Sequence, residues 1–551
     1  MSDANVARLF ADQVAASGAA PAFLRVDELG RVSEVITYDR LHELVGAVAG
    51  GLQLRGITRG SRVVVFVPMG LELYVTLLAL LRLGAVASFI EPWSGPRMVE
   101  HAADLVDADA FVGVPRSFLL RAMSPSLRHI KLAIATGSRK VPRADRFVDL
   151  LRTPTSQRLL DPVELAPEDP ALVTFTVGRG GVPVGTTHTH ASLRAQDAAL
   201  ERQAPDAGDA VVWTNLPVVV LHGLARGAAT VLPPDDLGQA AVPDPKRLHR
   251  LVARSGATVL ALSPAALGQL AKAPGRAPLD DVRRVFTGPG AVAPDLLDAA
   301  RAVLPNARIV ALYGTSEAEP IAAVTADDVV GRRAELREHG GLFIGHEVPD
   351  VDVQIVRAID GPLTVDGGGQ LQDWAVVDGA AGELLVAGSH VHAEYWHDPE
   401  AERTAKVVDE AGRTWHRTGD MARRDEHGGL WLLGPRGEGR TIAGTTTWPL
   451  ELETPVTDLV EVGRAALCMP RFDGANREFK NATAVLAVEP ADGFTRRDAA
   501  QAAVRCLEQR GFDVAIEVRA LKQIPLDRRD PTRIDVEALH RKLKPQSNDD
   551  Y

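Results

Sequence analysis

Ala171-Leu172-Val173-Thr174-Phe175-Thr176-Val177-Gly178-Arg179-Gly180-Gly181-Val182-Pro183-Val184-Gly185 is the stretch on which the reading of this chain turns. A run rich in β-branched and aromatic residues gives way to a turn with four glycines, so a strand ends where the backbone is free to bend. Successive N–H groups in such a turn converge on an anion, the arrangement that cradles phosphates. No Gly-Lys-Ser/Thr follows, so this is not a Walker A loop. Taken alone, a tight strand-to-helix turn accounts for these residues equally well.

Outward from that turn one pattern recurs. Between residues 60 and 315 a short β-branched run is followed by a turn and an amphipathic helix. Arg62-Val63-Val64-Val65-Phe66-Val67 leads into a helix over Leu71 to Arg82. Thr258-Val259-Leu260-Ala261-Leu262 precedes Ser263-Pro264, a favourable helix start. Two more apolar runs, Val282 to Thr287 and Ala307 to Leu312, are each followed by small residues. Strands alternating with helices predict an α/β fold with largely parallel, doubly wound sheets. Ligands on such sheets sit beyond the carboxyl ends of the strands. After residue 425 the chain becomes charged and turn-rich, and then shows an apolar run from Ala482 to Val488 and helical spacing near 495–509 and 534–543. The expected organisation is a large N-terminal domain over 1–433 and a small α+β C-terminal domain over 434–551.

The 551 residues are 46% hydrophobic and 24% charged, the balance of an ordinary folded protein rather than a disordered or membranous one. A net charge of -11 argues against general affinity for nucleic acid or anionic membrane. Cys468 and Cys506 are too few for a disulfide scaffold or a structural zinc site, so a reducing cytoplasm is the expected compartment. Met1 to Ala20 carries Asp3, Arg8 and Asp12 and does not read as a secretory signal. Tyr74 to Ile90 is interrupted by Arg82 and Gly84, which predicts a core helix and a buried strand rather than a membrane span.

Two further constellations carry chemistry. In Tyr313-Gly314-Thr315-Ser316-Glu317 a ring suits stacking on a base, a hydroxyl suits phosphate and a carboxylate suits Mg²⁺. The plainer alternative is a strand-end turn in which Ser316 caps a helix. Trp415-His416-Arg417-Thr418-Gly419-Asp420 places a carboxylate at a strand-to-turn junction, fit for the two hydroxyls of a ribose, and Gly434-Pro435-Arg436-Gly437 follows. The order and spacing of these three segments, with the small C-terminal domain, resemble the adenylate-forming superfamily of acyl-CoA synthetases, luciferases and adenylation domains. The likeness covers nearly the whole chain. Gly345-His346-Glu347-Val348-Pro349, Glu394-Tyr395-Trp396-His397-Asp398-Pro399 and Ile524-Pro525-Leu526-Asp527-Arg528-Arg529 are most similar to the β-lactone synthetases of bacterial long-chain olefin biosynthesis.

The resemblance implies an AMP-forming ligase that joins a hydrophobic carboxylic acid to ATP with Mg²⁺, and a C-terminal domain that moves as a lid. A β-hydroxy acid closed to a β-lactone is the expected reaction, with acyl-CoA or amide formation as the alternative of the same class. By the same resemblance Thr176, Gly178, Gly180, Gly181 and Gly185 line the phosphate loop. Gly288-Pro289-Gly290 and Tyr313-Gly314-Thr315 flank adenine, Ser316 meets the α-phosphate, Glu317 holds Mg²⁺, and Asp420 holds the ribose with Arg436 nearby. The acyl pocket is expected between Leu216 to Gly227, which includes His222, and Phe286 to Pro294.

The chain also departs from the family pattern. Val177, Arg179, Gly180 and Val184 stand where the loop carries hydroxyl residues, a threonine and a lysine. Pro435 and Gly437 replace the nucleotide arginine and the acidic hinge residue. Arg533 replaces the lysine that contacts the reacting groups, and Arg is no simple substitute for Lys. Losing one such preorganised charge costs about 10²–10³-fold in rate. Three explanations follow: Arg179 and Arg533 restore the charge, the site serves chemistry without adenylation, or the chain is a non-catalytic binding partner in a multi-enzyme assembly.

Overall fold

The computed structural model describes residues 4–90, 95–137, 139–177, 183–203, 210–234, 244–273, 275, 277–365, 369–442, 445–468, 484–512, 516–526 and 534–543. Two large sheets build most of the molecule. In the first, the strands Asp145–Arg146, Leu132–Ala135, Ala110–Gly113, Arg62–Phe66, Val86–Phe89, Pro170–Val177 and Pro183–Thr189 lie side by side in that order. All its pairs are parallel except the last, an antiparallel hairpin. Val63, Val64 and Val65 are fully buried, as a continuous β-branched run must be in a parallel strand covered on both faces. The helix Leu71–Leu83 is buried on nearly every side and ends at Gly84, whose left-handed backbone returns its N–H to Leu80. The glycine-rich turn therefore joins two strands of one hairpin, and the helix His190–Gln203 begins only after the second. Antiparallel pairing of Thr174 with Thr186 excludes the strand-to-helix alternative.

The second sheet is parallel in its middle, through Ala229–Leu232, Val211–Thr214, Val259–Leu262, Arg284–Thr287 and Arg308–Thr315. It then turns antiparallel through Ala318–Thr325, Leu342–Glu347, Leu430–Pro435, Thr414–Arg424, Gly382–Gly388 and Val351–Val356. The cause lies at Ser316 and Glu317. Two residues are enough for a hairpin turn and far too few for a parallel crossover. Ser316 thus caps no helix.

Val462–Cys468, Ala484–Pro490 and Ile516–Ala520 form a separate three-stranded sheet with a core of its own, covered by the helix Arg496–Gln509. With the large sheets before it, this gives a mixed α/β chain of one large and one small unit. The helix Pro449–Thr457 packs against both Arg333–His339 and Val462–Cys468. At this junction the Arg510 guanidinium donates to the Arg337 and Glu338 carbonyls, at 2.9 and 2.6 Å. No helix among the described residues is long and apolar enough to cross a membrane.

Candidate active site

The strand end at Leu312 and the turn at Gly288 close on each other. Gly290 N–H donates to the Leu312 carbonyl at 3.3 Å, and a Cβ at Gly288 would meet that same oxygen at 2.4 Å. One residue pair further, a Cβ at Gly314 would lie 2.7 Å from the Ala318 carbonyl. Only glycine permits either approach, so Gly288-Pro289-Gly290 and Tyr313-Gly314 form one continuous wall. Thr315 Oγ1 is buried beside it and has no hydrogen-bond partner among the described residues. An unpartnered buried hydroxyl of this kind is a ready contact for a polar ligand.

Tyr313 hydroxyl donates to Asp420 Oδ2 at 2.6 Å. Their strands are not neighbours in the sheet, so the antiparallel half curls until Asp420 faces the end of the parallel half. Burial, reinforced by the Asp420 charge, pushes the Tyr313 phenol well above its ordinary value and keeps it a donor. Asp420 is held in place from below. Thr418 hydroxyl accepts from Asp420 N–H at 3.1 Å and donates to the Leu384 carbonyl. Arg417, fully buried, pairs with fully buried Glu383 and donates to the carbonyls of Ile359, Gly361 and Thr404.

Glu317 lies in a second group. Tyr395 hydroxyl donates to its Oε1 at 2.8 Å, and His416 Nε2 is 3.8 Å from its Oε2. Lys406 Nζ donates to the His392 carbonyl and lies 3.3 Å from His416 Nδ1. Burial pulls Lys406 down to about 8, against the opposing pull of Glu317 and Glu402. Burial also lowers His188 to about 4, and it lowers His392, whose ring stands edge-on to His188 with centroids 4.0 Å apart. His188 Nε2 is 2.8 Å from Thr174 hydroxyl, which ties this group to the hairpin of Pro170–Val177 and Pro183–Thr189. Tyr395, Lys406, His188 and His392 are absent from the sequence-derived site. His392, Tyr395 and Lys406 fall close together in the chain, but Glu317 and His188 lie far upstream of them, and no single motif spans the group.

The other predicted residues divide. Thr176 pairs with Val184 at the mouth of the hairpin, and Gly185 accepts the Trp396 N–H at 2.6 Å. Ser316 sits in the turn beside Glu317. Gly178, Arg179, Gly180, Gly181 and Arg533 lie outside the described residues, though Leu526 and Ile534 on either side of Arg533's segment form an antiparallel bridge. Arg436 donates to the Ile359 carbonyl at 2.7 Å and to Asp360 at 2.9 Å, turned to that loop while Pro435 stands opposite Asp420. His222 is bound to Asp197 at 2.7 Å, and Arg226 also reaches Asp197. Val219, from the same helix as His222, and Phe286 each pack against the buried cluster that holds Val212 and Val259.

Comparison with known proteins gives the family. Residues 10–396 match the family model described as AMP-binding enzyme. The olefin β-lactone synthetase of Stenotrophomonas maltophilia is 30% identical over 85% of this chain and 84% of its own. That of Xanthomonas campestris pv. campestris is 30% identical over 72% of this chain and 71% of its own. The amide bond synthetase McbA of Marinactinospora thermotolerans shares the fold at 24% identity, with a TM-score of 0.76 over 98% of this chain and 100% of that one. The glycine-lined strand ends, the Tyr313–Asp420 pair and Glu317 with its Tyr395 and His416 neighbours thus have their context: the chain belongs to the AMP-binding enzymes, an adenylate-forming, AMP-forming ligase close to the olefin β-lactone synthetases.

Proposed function

We propose that this ligase activates a hydrophobic β-hydroxy acid with ATP and closes it to a β-lactone. A carboxylate oxygen attacks the α-phosphorus and pyrophosphate leaves. The β-hydroxyl oxygen then attacks the adenylated carbonyl carbon, loses its proton, and AMP departs with the former carboxylate oxygen. The observation that carries the reading is the Tyr313–Asp420 hydrogen bond at the glycine-walled strand ends, with Glu317 on the adjoining turn. In it, Asp420 holds the ribose, Tyr313 and Gly288 to Gly290 flank the base, and Thr315 and Ser316 meet the phosphates.

Among the described residues no three His, Cys, Asp or Glu side chains could share a metal. A single carboxylate completed by substrate phosphates and water is how Mg²⁺ is usually held, so Glu317 fits that ion. When bound, the ion would neutralise charge developing on the phosphates. Tyr395 and His416 orient the carboxylate for that task. The acid's chain lies along the face near Val219 and Phe286, residues 434–551 move as the lid, and the reaction takes place in the cytoplasm.

Lactone closure needs no second substrate, because the attacking hydroxyl already sits on the bound acid, and such intramolecular attack has effective concentrations of about 10⁵ M or more. That suits a chain without the acidic hinge residue at Gly437. The test is release of AMP and pyrophosphate with 3-hydroxy and unsubstituted acids, with and without coenzyme A. AMP from 3-hydroxy acids without coenzyme A supports the reading; turnover strictly dependent on coenzyme A refutes it. One observation favours the non-catalytic alternative: Val184 is a buried apolar residue where relatives of this fold are expected to carry a cation.

A further inference from the structure

Val184 packs with Tyr395, Ala401 and Ala405. An ammonium stands over the same aromatic ring: Lys406 Nζ is 4.9 Å from the Tyr395 centroid, within the range of a cation–π contact. Lys406 opens the short strand Lys406–Val408, directly after the helix Pro399–Ala405 that supplies Ala401 and Ala405. From Lys406 two paths reach Glu317. One runs through the Tyr395 ring, whose hydroxyl donates to Oε1 at 2.8 Å. The other runs through His416, with its Nδ1 3.3 Å from Nζ and its Nε2 3.8 Å from Oε2. Glu402, whose Oε1 accepts the Tyr395 N–H at 3.0 Å, is the other carboxylate acting on Lys406.

We propose that Lys406 is the positioning residue for Glu317 and supplies, from the strand after Ala405, the positive charge that Val184 does not bring to the phosphate loop. The role rests on the adenylation reading of the site. A lone carboxylate in a poorly solvated pocket repels incoming phosphates strongly, because water no longer screens the charge. With Lys406 behind it, part of the Glu317 charge is offset while its oxygens face a phosphate-bound cation. Tyr395 and His416 are the fixed intermediaries, so the lysine acts on the carboxylate without touching the nucleotide. The same arrangement explains why a buried valine is tolerated at the head of the second hairpin strand: the cation has moved to the segment that packs against it.

The experiment is calorimetric titration of the full-length protein with MgATP, and separately with AMP in EDTA. Lys406→Met is expected to weaken MgATP by about tenfold or more, the scale of one lost preorganised charge. Metal-free AMP, which relies on the Tyr313–Asp420 end, is expected to bind the variant and the parent alike. Val184→Lys added to Lys406→Met is expected to return MgATP affinity to within about threefold of the parent. Equal MgATP affinity in Lys406→Met and the parent, equal weakening of both ligands, or no recovery in the double variant would each overturn the role. If Lys406→Met does not fold, Glu317→Gln in the same chain is expected to restore folding, since the uncompensated buried charge is then gone. Failure to restore it contradicts the proposal as well. No heat from MgATP or AMP in the parent defeats the adenylation reading itself, whereas heat in the parent that Lys406→Met leaves unchanged defeats only the role of Lys406.

Discussion

Tyr313 and Asp420 meet through one 2.6 Å hydrogen bond, and each depends on the other. Removing the carboxylate leaves a buried phenol without its acceptor and takes away the group proposed to hold the ribose. Asp420→Ala is therefore expected to weaken AMP and ATP by about 10–100-fold, the scale of a lost charge-assisted contact and an orphaned partner. Thermal shift with either nucleotide checks it, because a ligand that binds the folded state must raise its melting temperature. An undiminished shift in the variant would contradict the role. Tyr313, Glu317 and Asp420 were legible in the sequence because each sits inside a short motif at a strand end. Tyr395 and Lys406 were not, because Tyr395 meets Glu317, and Lys406 reaches it through Tyr395 and His416, only once the chain is folded. Arg436 was placed by motif order, and the structure turns it to Asp360, since Pro435 takes the position opposite Asp420.

The helix Pro449–Thr457 and the strand Val462–Cys468 are joined by Glu453, whose carboxylate accepts the Leu467 N–H at 2.7 Å. Burial raises Glu453 from 4.5 to about 7, with Leu467 N–H opposing and Glu438 adding to the rise. A raised carboxyl holds its proton more tightly in the folded chain, so its contribution to stability is complete below about 4.5 and is lost as pH rises through about 7. Glu453→Gln keeps the acceptor and removes the charge. Its melting temperature is expected to exceed the parent's at pH 8 and to match it at pH 5. A difference of equal size at both values would show that charge is not the cause. Among the elements, the parallel strands were readable from their β-branched runs. The antiparallel half was not, because the hairpin turn at Ser316 and Glu317 has the same polar texture as the start of a helix. The hairpin around the glycine-rich turn was missed for a similar reason, since glycines mark a turn without fixing the direction of the strand that follows.

The two units meet where Arg510 caps the carboxyl end of the helix Arg333–His339 and Asp458 pairs with Arg333 and Arg337. A cation is favourable at a helix C-terminus, and hydrogen bonds to charged groups are worth about 1.5–3 kcal/mol. Arg510→Ala is expected to loosen this contact and to speed proteolytic cleavage around residues 434–448 by about tenfold in nucleotide-free protein. Cleavage at the parental rate would mean that the contact does not hold the small unit in place. The large-and-small division of the chain was readable from the change of texture after residue 425; this docking was not, because it depends on which surfaces meet. For the whole molecule the central claim is adenylation followed by internal closure, and oxygen labelling follows both steps. A 3-hydroxy acid carrying ¹⁸O in its carboxylate, incubated with MgATP and no coenzyme A, is analysed by mass spectrometry. The account predicts one labelled oxygen in AMP, one in the product, and a product lighter than the acid by one labelled water equivalent. AMP without label, or no AMP from any acid, would contradict it.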